Sequence, residues 1–337
     1  MTEHMKAWQY VAPGPLSDQI KLTDQAVKPS VSALKKNEIL IQVKAAGINP
    51  ADYKVPAMGV VARGVLPFPK TLGMDLAGVV AAVGSEVTDV TVGDHVVSRL
   101  DPLKATGALS EYVVAAQENY AVLAKETGLD CAAGLGTAGL TAYQTIQPYV
   151  KAGDNIFING GSGGVGTFAI QIGKLLGCNV TTSCSTPKVA MCEELGADEV
   201  IDYRKSDVIE TIKKNGKTYK LVVDLVGSSP ANLHVSSGEF LSKDGVYVMV
   251  STAPSWSGLT TVASALLKPA WLGGAKNKVV VYMTWNDKAH LSQLAQWLDA
   301  GKLKVTIDKR YEFGEAFEAY DQLHAGSAAG KIVVHVP

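Results

Sequence analysis

The sequence predicts an α/β protein of two domains: an irregular, mostly antiparallel β domain and a doubly wound parallel sheet with helices on both faces. Three observations carry that expectation. The 337 residues exceed what one core usually organises. From Met5 to about Ala124, short strand-like runs are broken by glycine and proline, notably at Ala12-Pro-Gly-Pro15 and between Arg63 and Gly73. From about Lys125 onward, strand-like runs alternate with helical ones, which is the pattern of βαβ units.

Taken in order, Glu38–Gly47, Leu76–Gly84, Asp94–Ser98 and Ser110–Ala115 read as strands of the first domain. Cys131 to Val150 reads as one helical stretch. The strands expected of the parallel sheet are Asn155–Asn159, Asn179–Ser183, Glu199–Asp202, Leu221–Val226, Val246–Ser251 and Val279–Met283. Ala289–Ala300 places Leu291, Leu294 and Leu298 at helical spacing, and Lys331–Val336 closes the chain as a strand. The apolar stretch holding Trp256, Leu259, Leu266, Leu267 and Trp271 reads equally as a lining of a substrate cleft, as a homodimer interface or as core.

The most informative stretch is Asn155 to Ile170. Four strand-like residues run into a glycine-rich turn that opens an apolar helix. Gly161, Gly163 and Gly166 match G-x-G-x-x-G, with Ser162, Gly164 and Val165 between them. The first glycine is expected to make the tight turn and the second to admit a pyrophosphate close to the backbone. The third lets helix and strand pack, and the helix N-terminus points free N–H groups at the anion. A second strand follows within the span of one βαβ unit, so the stretch predicts a dinucleotide site.

Bulk properties exclude other classes. Formal net charge is −1 with no basic run, so nucleic acid has no electrostatic footprint. No apolar run reaches the roughly 18 residues of a spanning helix, and the N-terminus lacks the apolar core of a signal peptide. The four cysteines, Cys131, Cys178, Cys184 and Cys192, show no framework spacing and suit a reducing compartment, so a cytoplasmic protein is expected. His95, His234, His290, His324 and His335 are scattered and read as surface or packing residues.

Five motifs together resemble the medium-chain dehydrogenase/reductase superfamily: Ala45–Lys54, Leu72–Val80, Gly93–Val96, the glycine loop and Glu194–Tyr203. The resemblance spans nearly the whole chain and is closest to the zinc-independent quinone oxidoreductase branch, which includes trans-acting enoyl reductases. It implies a GroES-like domain over 1–125 with a returning segment 289–337, and a Rossmann NADPH-binding domain over 126–288, with catalysis in the cleft between them. Where zinc-dependent members carry ligands, this chain has Asn49, Met74 and Thr137, none a usual zinc ligand, so no metal is expected. The implied reaction is NADPH-dependent reduction of quinones or α,β-unsaturated carbonyls. A rival reading is an NADPH-binding, partner-binding protein with little turnover.

The resemblance also assigns residues. Asn49, Thr137 and Lys331 are expected at the cofactor, Asn49 against the nicotinamide ribose and Thr137 near the nicotinamide. Ser185 stands where NAD enzymes of the superfamily carry an aspartate. With Lys188 and Tyr203 it is expected to hold the 2′-phosphate of NADPH. Asp52 is expected to hydrogen-bond locally, Asn-Pro-x-Asp being turn chemistry. Catalysis is expected from Lys54 as stabiliser of an enolate, with Tyr53 or water returning the proton and Asn49 as the third member of the catalytic set. Packing for Tyr53, and a surface ion pair for Lys54, are the alternatives.

Overall fold

The structure is a computed structural model that describes residues 2–227, 229–230, 233–250 and 277–337. The stretch from Trp256 to Trp271 therefore lies outside the described residues. The chain divides into two compact units, one made of Met1–Leu140 with Trp285–Pro337 and the other of Thr141–Thr284.

The first unit carries a three-stranded antiparallel sheet, β1 (His4–Tyr10), β2 (Ile20–Val27) and β4 (Lys70–Thr71), in the order β2-β1-β4. Its main sheet adds β3 (Glu38–Gly47), β5 (Asp75–Val83), β6 (His95–Arg99), β7 (Tyr112–Ala116), β8 (Tyr120–Leu123), β15 (Ile307–Tyr311) and β16 (Lys331–His335). These run β15-β16-β3-β5-β6-β8, with β7 also paired to β3. The returning segment is thus part of this sheet: β16 lies antiparallel to β3, with Val333 opposite Gly47. Ile39, Ile41, Val43, Leu76, Val80, Val96 and Tyr320 pack in one buried cluster beneath it.

The expected helix from Cys131 to Val150 is broken into Leu129–Ala133 and Gly136–Ile146, followed by a 3-10 turn at Gln147–Tyr149. Close approaches require glycine on both sides of the break. A Cβ on Gly134 would stand 2.7 Å from the Val305 side chain, and one on Gly136 would stand 2.5 Å from the Asp75 carboxylate. The change of texture near residue 125 marks the first of these helices, yet Leu129–Ala133 packs on β3 and β5, so the first unit runs on to Leu140.

The second unit is a six-stranded parallel sheet: β9 (Asn155–Asn159), β10 (Asn179–Cys184), β11 (Glu199–Asp202), β12 (Tyr219–Asp224), β13 (Leu241–Val250) and β14 (Lys278–Tyr282). Their order is β11-β10-β9-β12-β13-β14. The order reverses at β9, the first strand laid down, with β10 on one side and β12 on the other. In open α/β sheets that switch point leaves a crevice at the carboxyl ends of the strands, where ligands bind. Buried Phe157, Val222, Tyr219, Tyr247 and Phe240 form the core on one face.

Candidate functional site

In the second unit, the glycine loop joins β9 to the helix Gly164–Leu175, whose first residue follows Gly163 at the N-cap. The four glycines do four different jobs. Gly160 makes the turn at φ +94°, a conformation L side chains rarely adopt, so the tight turn belongs to Gly160 and not to Gly161. A Cβ on Gly161 would meet Thr182 Oγ1 at 2.1 Å, and one on Gly166 would meet the Gly160 carbonyl at 2.2 Å. At Gly163 the nearest atom to a Cβ is 3.7 Å away, and no side chain caps the helix there. The first N–H groups of the helix thus have no side-chain cap, which is the arrangement that suits an anion.

A buried polar network holds the strand ends under this loop. Asn159 Nδ2 donates to Asp224 Oδ1 at 2.8 Å and Ser183 Oγ donates to Asn159 Oδ1 at 2.7 Å, while the Gly160 N–H donates to Ser183 Oγ at 3.1 Å. Asp224 also accepts from Tyr247 OH at 2.6 Å and from the N–H groups of Val226 and Gly227. Burial and the Asp224 charge push the Tyr247 hydroxyl far above its ordinary range, so it remains a donor. Asn159, Ser183, Asp224 and Tyr247 were not singled out from the sequence. The available signal was polar residues ending otherwise apolar strands.

The residues expected at a 2′-phosphate gather at the end of β10. Ser185 is buried and caps the turn Thr186–Lys188, Lys188 is part-exposed, and Tyr203 is exposed with its N–H bonded to the Cys184 carbonyl at 3.1 Å. Asp202, opposite Cys184 in the ladder, also stands at this edge and lies 3.7 Å from Lys205 Nζ.

In the first unit, Asn49 ends the turn after β3 and opens the short helix Pro50–Lys54. Asp52 Oδ2 accepts the Asn49 N–H at 2.7 Å, the local bond expected of it, and also the Tyr320 hydroxyl at 3.1 Å. The Asn49 side chain turns inward. Its Nδ2 donates to Asp75 Oδ2 at 2.8 Å and to the Gly47 carbonyl at 3.3 Å, while its Oδ1 accepts from Lys331 Nζ at 2.6 Å. Lys331 is buried and also donates to the Ile48 carbonyl at 2.9 Å, with Asp75 at 3.9 Å. Asp75, wholly buried, accepts further bonds from the N–H and hydroxyl of Thr137 at 2.8 and 2.7 Å. Arg99 Nε donates to that same hydroxyl at 3.0 Å.

Two carboxyls and one ammonium buried together perturb each other. Burial pushes Asp52 up to about 7, with the Asp75 charge acting in the same direction and the Asn49 N–H and Lys331 opposing. Burial lowers Lys331, against the pull of Asp75 and Asp52. Asp75 and Tyr320 were missed from the sequence. Asp75 lies inside a quoted motif, and its signal was a lone acid in the apolar run Leu72 to Val80.

These contacts test whether zinc suits the positions of Asn49, Met74 and Thr137. The carboxamide and the hydroxyl are spent on Asp75 and Lys331, and Met74 offers only a buried thioether. The residues do not fit the ion. Among the described residues, His95, His234, His290, His324 and His335 stay apart. His234 is buried, His290 lies 3.6 Å from Asp287, His335 lies 3.5 Å from Asp130, and His324 meets the edge of Tyr53.

Tyr53 and Lys54 follow on the same helix. Tyr53 packs edge-on against Tyr320 and His324, and burial, aided by Asp52, raises its hydroxyl above the ordinary value. Lys54 is half-buried, and burial lowers its ammonium. Among the described residues neither polar end has a hydrogen-bond or ion-pair partner.

Residues 35–147 match the alcohol dehydrogenase GroES-like domain family, and residues 195–334 match the zinc-binding dehydrogenase family. The chain is 38% identical to a trans-enoyl reductase of Aspergillus terreus, over 98% of this chain and 96% of that protein. It is 33% identical to a chloroplastic quinone-oxidoreductase of Triphysaria versicolor, over 89% of this chain and 90% of that one. A solved quinone oxidoreductase from Coxiella burnetii is 31% identical and superposes with a TM-score of 0.84, covering 99% of this chain and 100% of that one. No described helix is long and apolar enough to cross a membrane.

Proposed function

The chain belongs to the medium-chain dehydrogenase/reductase superfamily, in its quinone oxidoreductase and enoyl reductase branch, and from that premise we propose a zinc-independent, NADPH-dependent reductase of quinones or α,β-unsaturated carbonyls. As a member it is an oxidoreductase that uses a nicotinamide cofactor. The observation that carries the finer reading is the pair Tyr53 and Lys54, adjacent on one helix with polar ends that have no hydrogen-bond or ion-pair partner among the described residues. A bound nicotinamide supplies hydride. Lys54 is a half-buried cation with no ion-pair partner among the described residues, suited to the negative charge that builds on a carbonyl oxygen as the alkene is reduced. Tyr53, kept protonated by its surroundings, is suited to return the proton. The ion pair that would have made Lys54 a surface residue has no carboxylate among the described residues.

Ser185, Lys188 and Tyr203 supply the preference for the 2′-phosphate, and the glycine loop receives the pyrophosphate. The test is NADPH oxidation against a panel of quinones, enones and acyl thioesters, with wild type and Lys54→Met. Loss of one oxyanion donor is worth roughly 2.7–4 kcal/mol, so kcat for enones should fall about 100- to 1,000-fold at unchanged melting temperature. Quinones should suffer less. A folded Lys54→Met variant with wild-type enone turnover removes the assignment, and no turnover of any acceptor by wild type favours the partner-binding alternative.

A further inference from the structure

Two of the four cysteines stand together, apart from the residues proposed to act on substrate. Cys184 is the last residue of β10, and Cys192 lies in the helix Val189–Glu194, which packs on that strand. Both are buried and both are free thiols. The Cys192 thiol donates to the Cys184 sulfur. Other bonds fix the two backbones. The Cys184 carbonyl accepts the Tyr203 N–H at 3.1 Å, and the Cys192 carbonyl accepts the Ala197 N–H at 3.1 Å. A buried cysteine is ordinarily a small apolar residue, and Cys178 fits that description, with burial pushing its thiol up to about 11. Cys184 differs. The Cys192 thiol and the Lys188 ammonium favour its thiolate against burial and Asp202, and its thiol is held below the ordinary range. The pair thus sets a nucleophilic sulfur in contact with a thiol able to resolve it.

We propose that Cys184 and Cys192 are a redox modification site, joined by hydroperoxides into a reversible disulfide that loosens the second unit's hold on NADPH. The Cys184 thiolate attacks the peroxide O–O bond and becomes a sulfenic acid, and the departing hydroxide takes up the proton that Cys184 had lost. The Cys192 sulfur then displaces the sulfenic oxygen, which leaves as water with the Cys192 proton. Two thiols are oxidised by two electrons and one hydroperoxide is reduced by two. Burial favours a small oxidant, and a resolving thiol already in contact stops the oxidation at the disulfide. The new bond closes a loop over 184–192 that contains the turn Thr186–Lys188, with Ser185 at its N-cap. Lys188 is the N-cap of the helix that carries Cys192, and its N–H donates to the Ser185 carbonyl at 2.9 Å. Drawing that helix onto the strand end shifts Lys188 relative to Ser185 and weakens their joint grip on a 2′-phosphate. The effect on affinity rests on the proposed use of NADPH, whereas the disulfide itself does not.

The test treats full-length protein with hydrogen peroxide, maps its peptides by mass spectrometry after alkylation, and titrates NADPH and NADH by fluorescence. Wild type should show a bond between Cys184 and Cys192 that dithiothreitol reverses. Losing one charge-assisted contact should weaken NADPH about 10-fold in the oxidised protein and leave NADH within about 2-fold. Cys192→Ala should bind NADPH as untreated wild type does, and peroxide should carry its Cys184 on to the sulfinic acid. Should Cys192→Ala fail to fold, Cys184→Ala serves, and peroxide should leave its NADPH affinity unchanged. Peroxide-treated wild type whose two sulfurs are both still alkylated overturns the proposal, as does wild type in which Cys184 ends as a sulfinic acid. A disulfide that weakens neither cofactor, or both equally, overturns its effect on NADPH. Reduced wild type that does not bind NADPH removes the functional reading, while peptide mapping still decides whether the disulfide forms.

Discussion

The two units each bury a carboxylate beside their expected cofactor contacts, and they satisfy it in opposite ways. Asp224 in the second unit is held by neutral donors alone among the described residues: Asn159 Nδ2, Tyr247 OH and the N–H groups of Val226 and Gly227. Asp75 in the first unit shares its cavity with the Lys331 ammonium and lies within the field of a second carboxyl, Asp52. The second unit thus builds its site from backbone and glycine, with side chains as support. The first unit builds its site from side chains that fix one another. Sites of the first kind tolerate polar changes and fail on added volume. Sites of the second kind fail on lost charge.

The largest effect expected from that contrast is on stability. Removing one partner of a buried ion pair costs about 3–5 kcal/mol, so Lys331→Met should lower the unfolding free energy by that amount. Asp224→Asn removes a charge that faces no cation and should cost about 1–3 kcal/mol, the range for one unsatisfied buried group. Denaturant melts of both variants read the difference, and equal losses would erase the distinction between the units.

Volume should act the other way round. Gly166→Ala drives a Cβ to within 2.2 Å of the Gly160 carbonyl and should cost about 3 kcal/mol, along with nucleotide binding. Gly163→Ala meets nothing closer than 3.7 Å, so its melting temperature should match wild type. Its NADPH affinity should still fall about tenfold if the pyrophosphate lies against that backbone. A Gly163→Ala variant with undiminished affinity would place the anion elsewhere.

Cofactor choice gives a third comparison. A charge-assisted hydrogen bond contributes roughly 1.5–3 kcal/mol, so Lys188→Ala should weaken NADPH about 10- to 150-fold and leave NADH nearly unchanged. Parallel titrations with the two cofactors check it. Equal losses for both would remove Lys188 from the 2′-phosphate, as would a wild type that prefers NADH.

The smallest effect is a pH dependence confined to the first unit. The folded pKa of Asp52, about 7, is raised above the ordinary carboxylate value. Between about pH 4 and 7 the native state holds a proton that the unfolded state has lost, so this group's contribution to stability declines as pH rises through that window. Asp52→Asn mimics the protonated form. Its stability relative to wild type should therefore rise from pH 5 to pH 8, by something on the order of 1–2 kcal/mol. A difference that stays flat with pH would mean Asp52 is ionised throughout.

Local chemistry made much of this protein readable in advance. Strands β3, β9 and β11 fall where residue patterning puts them, because apolar runs bounded by glycine and proline have few other uses. The glycine loop was equally legible as a strand–turn–helix, since its close approaches leave no room for side chains at Gly161 and Gly166. Even there, the assignment of the turn to Gly161 failed by one residue: only the fold shows that Gly160 carries the positive φ and that Thr182 forbids a side chain on Gly161.

What the sequence by itself determined, then, is the alternation of strands and helices in the second unit, the glycine-rich loop between β9 and its helix, and the absence of zinc-ligand residue types at positions 49, 74 and 137. Tertiary structure alone decided what those positions do instead. Asn49, Asp75, Thr137 and Lys331 are spread over 282 residues of chain, and a hydrogen bond between residues so far apart has no local signature. The antiparallel pairing of β16 with β3 brings the last strand beside the turn at Asn49, and the broken helix at Gly134–Gly136 lets Thr137 reach Asp75. Donor and acceptor roles follow from who is adjacent, and adjacency across a sheet is a property of the fold.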